Sequence, residues 1–426
     1  MSNSDCSSSP SSQRSRRVRV SAFPSDTPNW LSLPDDLFPC VTIRLNSKVD
    51  TQSFRAVCRK LHSVISPPRA LHSPLSKLIR INFPDCKKRH PGGHLLLSQS
   101  TIYAIEPLGE ILNAHDTKTW WVRVKESYNG KVQLEDPFSG RRVKNFTGII
   151  PKHLSSLNYR VKEITKVYRL EFVGRSTTTS GKFNSWEPNF FQKVVASPCL
   201  EENGADFSMM VMYSPDEILA AWRYGEAKWR DIEFFKDDML ADIVYHDGKF
   251  YALGYLGSLL CFDIKTGVDT KLMPPGQHDR CFGCGSRYLV DSLKDLFLVV
   301  KRCRDTIMVL KLNKKRLKWE PVRDYLGDRV LFVSKNCTYS VSAKEFWGCK
   351  PNCIYYTDEF PFCYEDGVPT RPGKNARIYD LKKHVAGRPS TFPGYGKLFW
   401  PPPPWLTDLP EYLYHDSDCK CFSFFF

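Results

Sequence analysis

The sequence predicts a mainly β protein in which a small all-α module precedes a large β-rich domain. Between about residues 30 and 68 the apolar residues recur with a helical period, and from about residue 94 the pattern changes to short strands separated by turns. A chain of 426 residues is long enough for a small module and one large domain. We therefore divide it into a tail (1–28), a helical module (29–68), a linker (69–93), a β domain (94–415) and a C-terminal tail (416–426).

The N-terminal tail is rich in serine and arginine and poor in acidic residues. This composition cannot form a packed core, so we expect residues 1–28 to be disordered. Three interpretations of the tail stay open: a solvated extension, a short nuclear-import patch within residues 14–20, and an organelle transit peptide.

The first predicted helix begins within Ser32–Asp35. A serine can cap a helix, proline is tolerated in the first turn, and an acidic residue favours the positive end of the helix dipole. Leu33, Leu37 and Val41 then fall four residues apart, which places them on one face of the predicted helix.

A second capping motif, Ser47–Asp50, precedes an apolar stripe with helical spacing, and Pro67-Pro68 ends the helical pattern. The stripe consists of Phe54, Val57, Cys58, Leu61, Val64 and Ile65. Two or three short helices cannot bury enough surface to be stable alone. The module therefore needs a partner, either the domain that follows it or another protein.

The β domain is predicted from short runs of β-forming residues that end at turn residues. Examples are 101–105, 120–124, 249–253, 258–263, 296–301 and 307–312. We also expect one early strand at 78–83 within the linker, and a helical interruption near Ser155–Leu170.

A weak internal repeat runs through this domain, in which a strand ends in a polar turn and the chain resumes in an extended segment. Trp229 and Trp319 follow two such turns and lie 90 residues apart, which is twice 45. A period of about 40 to 50 residues with four short strands is typical of a propeller blade, and about 330 residues would form six or seven. The repeat is degenerate, so a large β-sandwich remains the alternative fold.

The helical module resembles the F-box, which docks on the Skp-type adaptor of cullin–RING ubiquitin ligases. The similarity rests on 33–37 (LPDDL), on two later apolar residues, and on 54–59 (FRAVCR). It implies that the adaptor contact is formed by Leu33, Pro34, Leu37, Ile43, Leu45, Phe54, Val57, Cys58 and Leu61. Many F-boxes carry tryptophan where this chain has Leu61, so the resemblance implies a weaker adaptor contact.

The β domain is similar to that of plant F-box proteins with a KIB-type β-propeller. The similarity is carried by Lys131–Arg142, Ala241–Phe262, Gly327–Tyr356 and the segment 403–407. The most distinctive stretch, GDRVLFVSKNCTYSVSAKEFWGCKPNCIYY, is long and specific. The resemblance covers Trp30 to Leu409 and implies a C-terminal β-propeller-like domain preceded by a small all-α F-box.

No catalytic or metal-binding pattern is found in the sequence. A structural zinc needs four ligands, and the cysteine pairs 281/284, 349/353 and 419/421 each lack a second pair at the usual spacing. The chain has no nucleophile elbow, no Walker A loop, no dinucleotide fingerprint and no zincin motif. We therefore expect a non-catalytic adaptor without a metal or a cofactor.

The formal charge of +15 permits several kinds of acidic partner. The basic residues are dispersed and lie on no nucleic-acid-reading motif, so we expect no direct nucleic-acid binding. No apolar run is long enough to span a membrane, and no signal peptide precedes the fifteen cysteines, which are typical of reduced intracellular thiols. We expect a nuclear and/or cytoplasmic protein.

These observations together predict a two-part adaptor: the F-box would bind the Skp-type adaptor and through it a cullin, and the propeller would bind an unknown protein target. The alternative is a stand-alone regulatory propeller whose F-box has degenerated. We expect target recognition in the loops Gly174–Phe183, Pro274–Gly285 and Pro361–Gly373. The aromatic and proline-rich segment 399–405 is expected to pack on the propeller, with a free Pro-rich ligand as the alternative.

Overall fold

The structure is a computed structural model, and part of the chain lies outside the residues that it describes. Described are 32–44, 48–65, 94–108, 118–126, 132–140, 142–143, 158–173, 191–198, 207–213, 218–275, 285–302, 306–323, 325–346, 348–357, 373, 375–395, 398–399 and 402–407. The tail 1–28, the proposed strand 78–83, the cysteine pairs 281/284 and 419/421 and the C-terminal tail 416–426 fall outside these ranges.

Three short helices form the N-terminal module: α1 (Leu37–Arg44), α2 (Lys48–Ala56) and α3 (Arg59–Val64). The apolar stripe of the second predicted helix is therefore divided between α2 and α3. Cys58 breaks the helix because its backbone is extended, with φ −157° and ψ 166°, and its sulfur accepts a hydrogen bond from the Leu61 amide at 3.5 Å. A cap at this position starts a new helix and changes the direction of the chain.

Most of the described chain is antiparallel sheet, arranged in four hydrogen-bonded sheets. The first sheet contains β1 (His94–Pro107), β2 (Trp120–Glu126), β3 (Val132–Glu135), β4 (Tyr159–Val173), β5 (Phe191–Ala196), β6 (Ser208–Tyr213), β7 (Ile218–Arg223) and β8 (Arg230–Ile232), in the order β3-β2-β1-β4-β5-β6-β7-β8. Strands β4 and β5 share a single residue pair, Tyr168 with Val194. This narrow junction divides the sheet into two four-stranded units, I (β1–β4) and II (β5–β8).

Three further sheets follow in chain order. Unit III contains β9 (Leu240–His246), β10 (Lys249–Gly254), β11 (Leu259–Asp263) and β12 (Val268–Met273), and unit IV contains β13 (Gly285–Ser292), β14 (Asp295–Arg302), β15 (Ile307–Asn313) and β16 (Lys318–Val322). Unit V contains β17 (Arg329–Val333), β18 (Thr338–Ser342), β19 (Cys353–Thr357), β20 (Ala376–Asp380) and β21 (Val385–Gly387) in the order β18-β17-β19-β20-β21, followed by a 3₁₀ turn at Pro389–Thr391.

Each unit packs face to face on the next through a separate buried cluster. Leu97 of unit I shares one cluster with Met209 of unit II, and Met210 of unit II shares a second with Phe250 of unit III. Tyr251 of unit III shares a third cluster with Leu298 of unit IV. Val309 of unit IV packs in one cluster with Tyr379 of unit V, and Phe332 of unit V packs with Trp121 of unit I at a ring distance of 4.9 Å. The five interfaces close a ring, which excludes the sandwich and confirms the propeller-like fold. The described residues form five units, fewer than the six or seven expected from length.

The weak repeat in the sequence has a definite structural basis. Where the third strand of a unit ends, an acidic or amide side chain accepts backbone N–H bonds from residues two and three positions later, as Asp263 does at 3.0 and 3.4 Å. The same turn is built by Asp136 and Asn313 at the ends of the third strands of units I and IV, and by Asp380 at the end of β20, the fourth strand of unit V. Such turns satisfy backbone groups that have no strand partner.

The two tryptophans that set the repeat period occupy comparable places in units II and IV. Trp229 directly precedes the outer strand β8, and Trp319 lies within the outer strand β16. One unit separates them, which explains the spacing of 90 residues.

The helical interruption expected near 155–170 is wrong, because residues 159–173 form strand β4 and pair with β1 along its length. A register shift between Ile102 and Tyr103 leaves Ile164 as an extra residue on β4. A β-bulge of this kind changes which face later residues point to. Apolar residues on β4 therefore recur every third position, at Val161, Ile164 and Val167. This spacing resembles that of a helix, which explains the wrong prediction.

The segment after unit V packs on unit I, as expected. The Trp121 amide donates to the Leu398 carbonyl at 2.9 Å, and Trp120 Nε1 donates to the Phe399 carbonyl at 2.9 Å. Further along, Trp405 packs on Tyr159 with ring centres 5.9 Å apart. The alternative of a free Pro-rich ligand is therefore excluded for the described parts of 398–407.

Candidate functional site

The helical module has a small core of its own. Phe38, Leu61 and Ile65 are buried, with Leu33, Phe54, Cys58 and Val64 packed against them. Leu37, which the spacing placed on one face with Leu33 and Val41, is 42% exposed, whereas its neighbour Phe38 is buried. The sequence analysis did not identify Phe38, because it lies off the four-residue spacing of Leu33, Leu37 and Val41.

Lys60 joins the third helix to the segment that leads into the first. Its ammonium donates to the Leu33 carbonyl at 3.2 Å, lies 3.1 Å from an Asp35 carboxylate oxygen, and sits 5.3 Å from the centre of the Phe38 ring. A single cation thus holds the Leu33–Asp35 turn against the module core. The sequence placed Lys60 off the apolar stripe and gave no signal of this role.

The structure divides the nine residues of the implied adaptor contact into three groups. Pro34, Leu37 and Val57 are exposed, and Val57 is 69% exposed. Packed in or against the module core are Leu33, Phe54, Cys58 and Leu61. The side chains of Ile43 and Leu45 lie outside the described residues. The exposed group is available to another protein, whereas the packed group shapes the helices.

Leu61 stands where many F-boxes carry tryptophan, and here it is buried with only 4% exposure. In this module the leucine side chain fills the core beside Phe38 and Ile65.

The propeller carries an apolar surface that the sequence did not indicate. Met239, Tyr255 and Leu256, which we call the apolar platform, are all exposed, and Met239 is 62% exposed. The Tyr255 amide donates to the Met239 carbonyl at 2.8 Å, so the segment before β9 is hydrogen-bonded to the turn between β10 and β11. The guanidinium of Arg287 lies 4.9 Å from the centre of the Tyr255 ring.

The platform rests on a turn that is held by one buried carboxylate. Asp238 accepts hydrogen bonds from the Leu256 amide at 2.7 Å and from the Ser258 hydroxyl at 2.6 Å. Large apolar side chains on a rigid, exposed turn are typical of protein-binding surfaces. A tyrosine and a leucine at positions 255 and 256 indicate only a break between two strands. The sequence therefore carries little indication of the platform.

The three loops expected to bind the target lie largely outside the described residues. Of Gly174–Phe183 nothing is described, of Pro274–Gly285 only its two ends, and of Pro361–Gly373 only Gly373. The preference for these loops therefore stays a prediction.

No group of three or more His, Cys, Asp or Glu side chains that could hold a metal ion occurs within the described ranges. Cys349 and Cys353 are buried in the core between units V and I. Burial raises the pKa of the Cys353 thiol to about 12, which leaves it un-ionised at neutral pH. None of the helices that the structure describes is long and apolar enough to cross a membrane.

Residues 95–380 match the family described as "KIB1-4 beta-propeller". This chain belongs to that family. The matched range starts within β1 and ends with β20, so it reaches all five units of the KIB propeller and leaves out only the last strand, β21.

Curated relatives of this KIB propeller protein carry F-box names. It is 24% identical over 421 residues to "F-box protein At2g17036" of Arabidopsis thaliana, covering 90% of this chain and 96% of the relative. It is 24% identical over 415 residues to "F-box protein SKIP23" of the same plant, covering 89% and 96%. The alignment with At2g17036 covers 90% of this chain, so the uncovered part is too short to contain the whole tail and helical module. That alignment therefore extends into the helical module. The resemblance to plant F-box proteins with a KIB-type propeller is confirmed.

Proposed function

We propose that this protein is the substrate-recognition subunit of a Skp–cullin–F-box ubiquitin ligase complex. Its helical module binds a Skp-type adaptor and through it a cullin, and its propeller binds the protein to be ubiquitinated. One observation carries the first half of the proposal: the module has its own core, yet it leaves Pro34, Leu37 and Val57 exposed. Buried apolar anchors concentrate the binding energy of protein interfaces.

The propeller half of the proposal is supported by the apolar platform. Tyr255 and Leu256 are exposed on a turn that Asp238 fixes, and Met239 is exposed on the segment hydrogen-bonded to that turn. Little conformational entropy is therefore lost when a partner covers the platform. The three loops proposed above are further candidates for target recognition. The protein supplies proximity, since it holds target and ligase together at high effective concentration. It forms no bond itself and needs no cofactor, and it works in the nucleus and/or the cytoplasm.

The experiment that tests adaptor binding is co-purification of the full chain with a Skp-type adaptor. Val57→Asp places a charge on an exposed position and should abolish co-purification, because a carboxylate cannot be desolvated cheaply at an apolar interface. Val268→Asp is the matched control, since Val268 is an exposed valine on β12 of the propeller. It should bind the adaptor like the wild type.

Two outcomes would contradict the proposal. If Val57→Asp bound the adaptor as well as Val268→Asp does, the exposed edge of the module is not the contact. If the unaltered protein failed to bind any Skp-type adaptor, the stand-alone regulatory propeller with a degenerate F-box would replace the ligase subunit.

A further inference from the structure

An open cleft lies where unit IV meets unit V. It has a volume of about 350 Å³ and is lined by Ile307, Met308, Val309, Pro321, Val322, Arg323, Leu381 and His384. These residues come from the start of β15, the end of β16 and the turn between β20 and β21. The cleft is separate from the helical module, and its lining does not include the apolar platform.

The walls of the cleft are rigid and mainly apolar. Ile307, Val309 and Leu381 are buried members of the core between the two units. Behind them the Tyr379 hydroxyl lies 3.3 Å from His384 Nδ1. The volume is near the lower end of ligand-binding pockets, about 300 Å³, and suits one or two apolar side chains.

The turn that forms one wall is fixed by a buried carboxylate. Asp380 accepts hydrogen bonds from the amides of Lys382 and Lys383 at 3.1 Å each, and its other oxygen accepts one from Lys350 Nζ at 2.6 Å. The conformation of the turn is therefore set before any partner binds, which lowers the entropic cost of binding.

The rim of the cleft is basic. Arg323 and His384 line it, and the exposed Lys382 and Lys383 lie on the same turn as His384. Among the described lining residues none carries a carboxylate. Tyr325, two residues after Arg323 in the sequence, is 79% exposed. An apolar cleft with a cationic rim complements an apolar side chain flanked by anionic ones.

We propose that this cleft binds an extended segment of a partner protein in which one or two large apolar residues are flanked by aspartates or glutamates. The apolar residues enter the cleft and the carboxylates meet Arg323 and the lysines of the turn. The inference rests on the proposed function, since such a segment would belong to the target of the ligase. A plain polyanion is a poorer match because the lining offers mostly hydrocarbon.

The test uses the full-length protein and a short fluorescein-labelled peptide with a central Leu-Phe pair flanked by glutamates, followed by fluorescence anisotropy. Two control peptides replace either the glutamates by glutamine or the Leu-Phe pair by serine. The unaltered protein should bind the first peptide more tightly than either control. Binding should weaken with added salt, because exposed charges are screened.

Two variants address the two halves of the cleft. Arg323→Glu should weaken peptide binding by about three- to tenfold, since an attraction between exposed charges becomes a repulsion. Val322→Trp fills the cleft, because Val322 is only half-buried at its wall, and should remove binding. Arg316→Glu is the matched control: it makes the same charge change in the turn before β16, away from the cleft lining. It should bind like the unaltered protein.

The proposal is overturned if Arg323→Glu binds the peptide as Arg316→Glu does. It is also overturned if a single-stranded oligonucleotide displaces the peptide as well as the unlabelled peptide does, which would indicate a general polyanion surface. Adaptor co-purification of the same variants separates this proposal from the previous one. Loss of peptide binding with adaptor binding retained supports the cleft, whereas a protein that binds the peptide but no adaptor refutes only the ligase role.

Discussion

A buried ion pair at the centre of the ring offers the sharpest test of the architecture. Lys193 Nζ on β5 lies 2.7 Å from an Asp242 carboxylate oxygen on β9, and both side chains are almost fully buried. The other oxygen of Asp242 accepts the Leu289 amide of β13 at 2.6 Å, and Thr338 of β18 donates to the Leu289 carbonyl at 2.6 Å. The network therefore joins the innermost strands of units II to V.

Removing one member of the pair leaves the other buried without a counter-charge. Lys193→Met leaves the Asp242 carboxylate unpaired, and Asp242→Asn leaves the Lys193 ammonium unpaired but keeps an acceptor for the Leu289 amide. Breaking a buried pair in this way costs about 3–5 kcal/mol. The unpaired group can instead become neutral by gaining or losing a proton. At pH 7 this costs an ordinary lysine or aspartate about 4–5 kcal/mol, so the loss of folding stability cannot exceed about this amount. The double variant, Lys193→Met with Asp242→Asn, leaves no buried unpaired charge and should recover most of the stability.

The Lys193→Met variant should depend strongly on pH. Burial already raises the pKa of Asp242 more than its hydrogen bonds from Lys193 and Leu289 lower it. Without Lys193 the folded-state pKa of Asp242 rises further, so the lost stability returns at low pH and is lost again as the pH increases through that pKa.

The assay is urea unfolding followed by tryptophan fluorescence, with free energies taken from the unfolding midpoints. The control pair is Lys311 and Asp295, which lie 2.8 Å apart but are nearly half exposed. Lys311→Met should cost less than about 1 kcal/mol, since exposed pairs contribute little. Equal losses at the buried and exposed pairs, or a Lys193→Met variant that regains no stability at low pH, would refute the closed ring with a buried central pair.

Three further outcomes are expected. Leu61→Ala should destabilise the helical module by about 2–4 kcal/mol, seen as faster amide exchange, whereas Val57→Ala should change it by less than about 0.5 kcal/mol; equal effects would contradict the burial of Leu61. Burial alone would raise the pKa of Asp380, but hydrogen bonds from Lys350 and from the following amides lower it overall. Its contribution to stability is thus present above the ordinary aspartate pKa and is lost as the pH falls through the lowered one; Asp380→Asn should flatten this acid loss in melting curves. Phe399→Ala should lower propeller stability by about 3–5 kcal/mol in urea, and no change would mean that Phe399 does not contribute to the core between units V and I.

The sequence by itself determined the local features of this protein. Short runs of strand-forming residues are separated by turn residues along the sequence. A turn of the Asp263 type depends on hydrogen bonds between residues two and three positions apart. The helix caps likewise depend on residues that are close in sequence. Motif similarity then identified the F-box and the KIB-type propeller, because those stretches are long and specific. The six strand segments predicted from such local patterns lie on β1, β2, β10, β11, β14 and β15. The bulge at Ile164 in β4 produced a misleading helical period, because it depends on pairing with β1.

Tertiary structure alone decided which residues come together across the ring. Lys193 and Asp242 are 49 residues apart and resemble ordinary surface charges in the sequence, yet the closing of the units buries them against each other. The cleft of Arg323 and His384 likewise arises from two units that meet only in the folded ring. Burial and long-range contact depend on how sheets pack, and no local pattern carries that information.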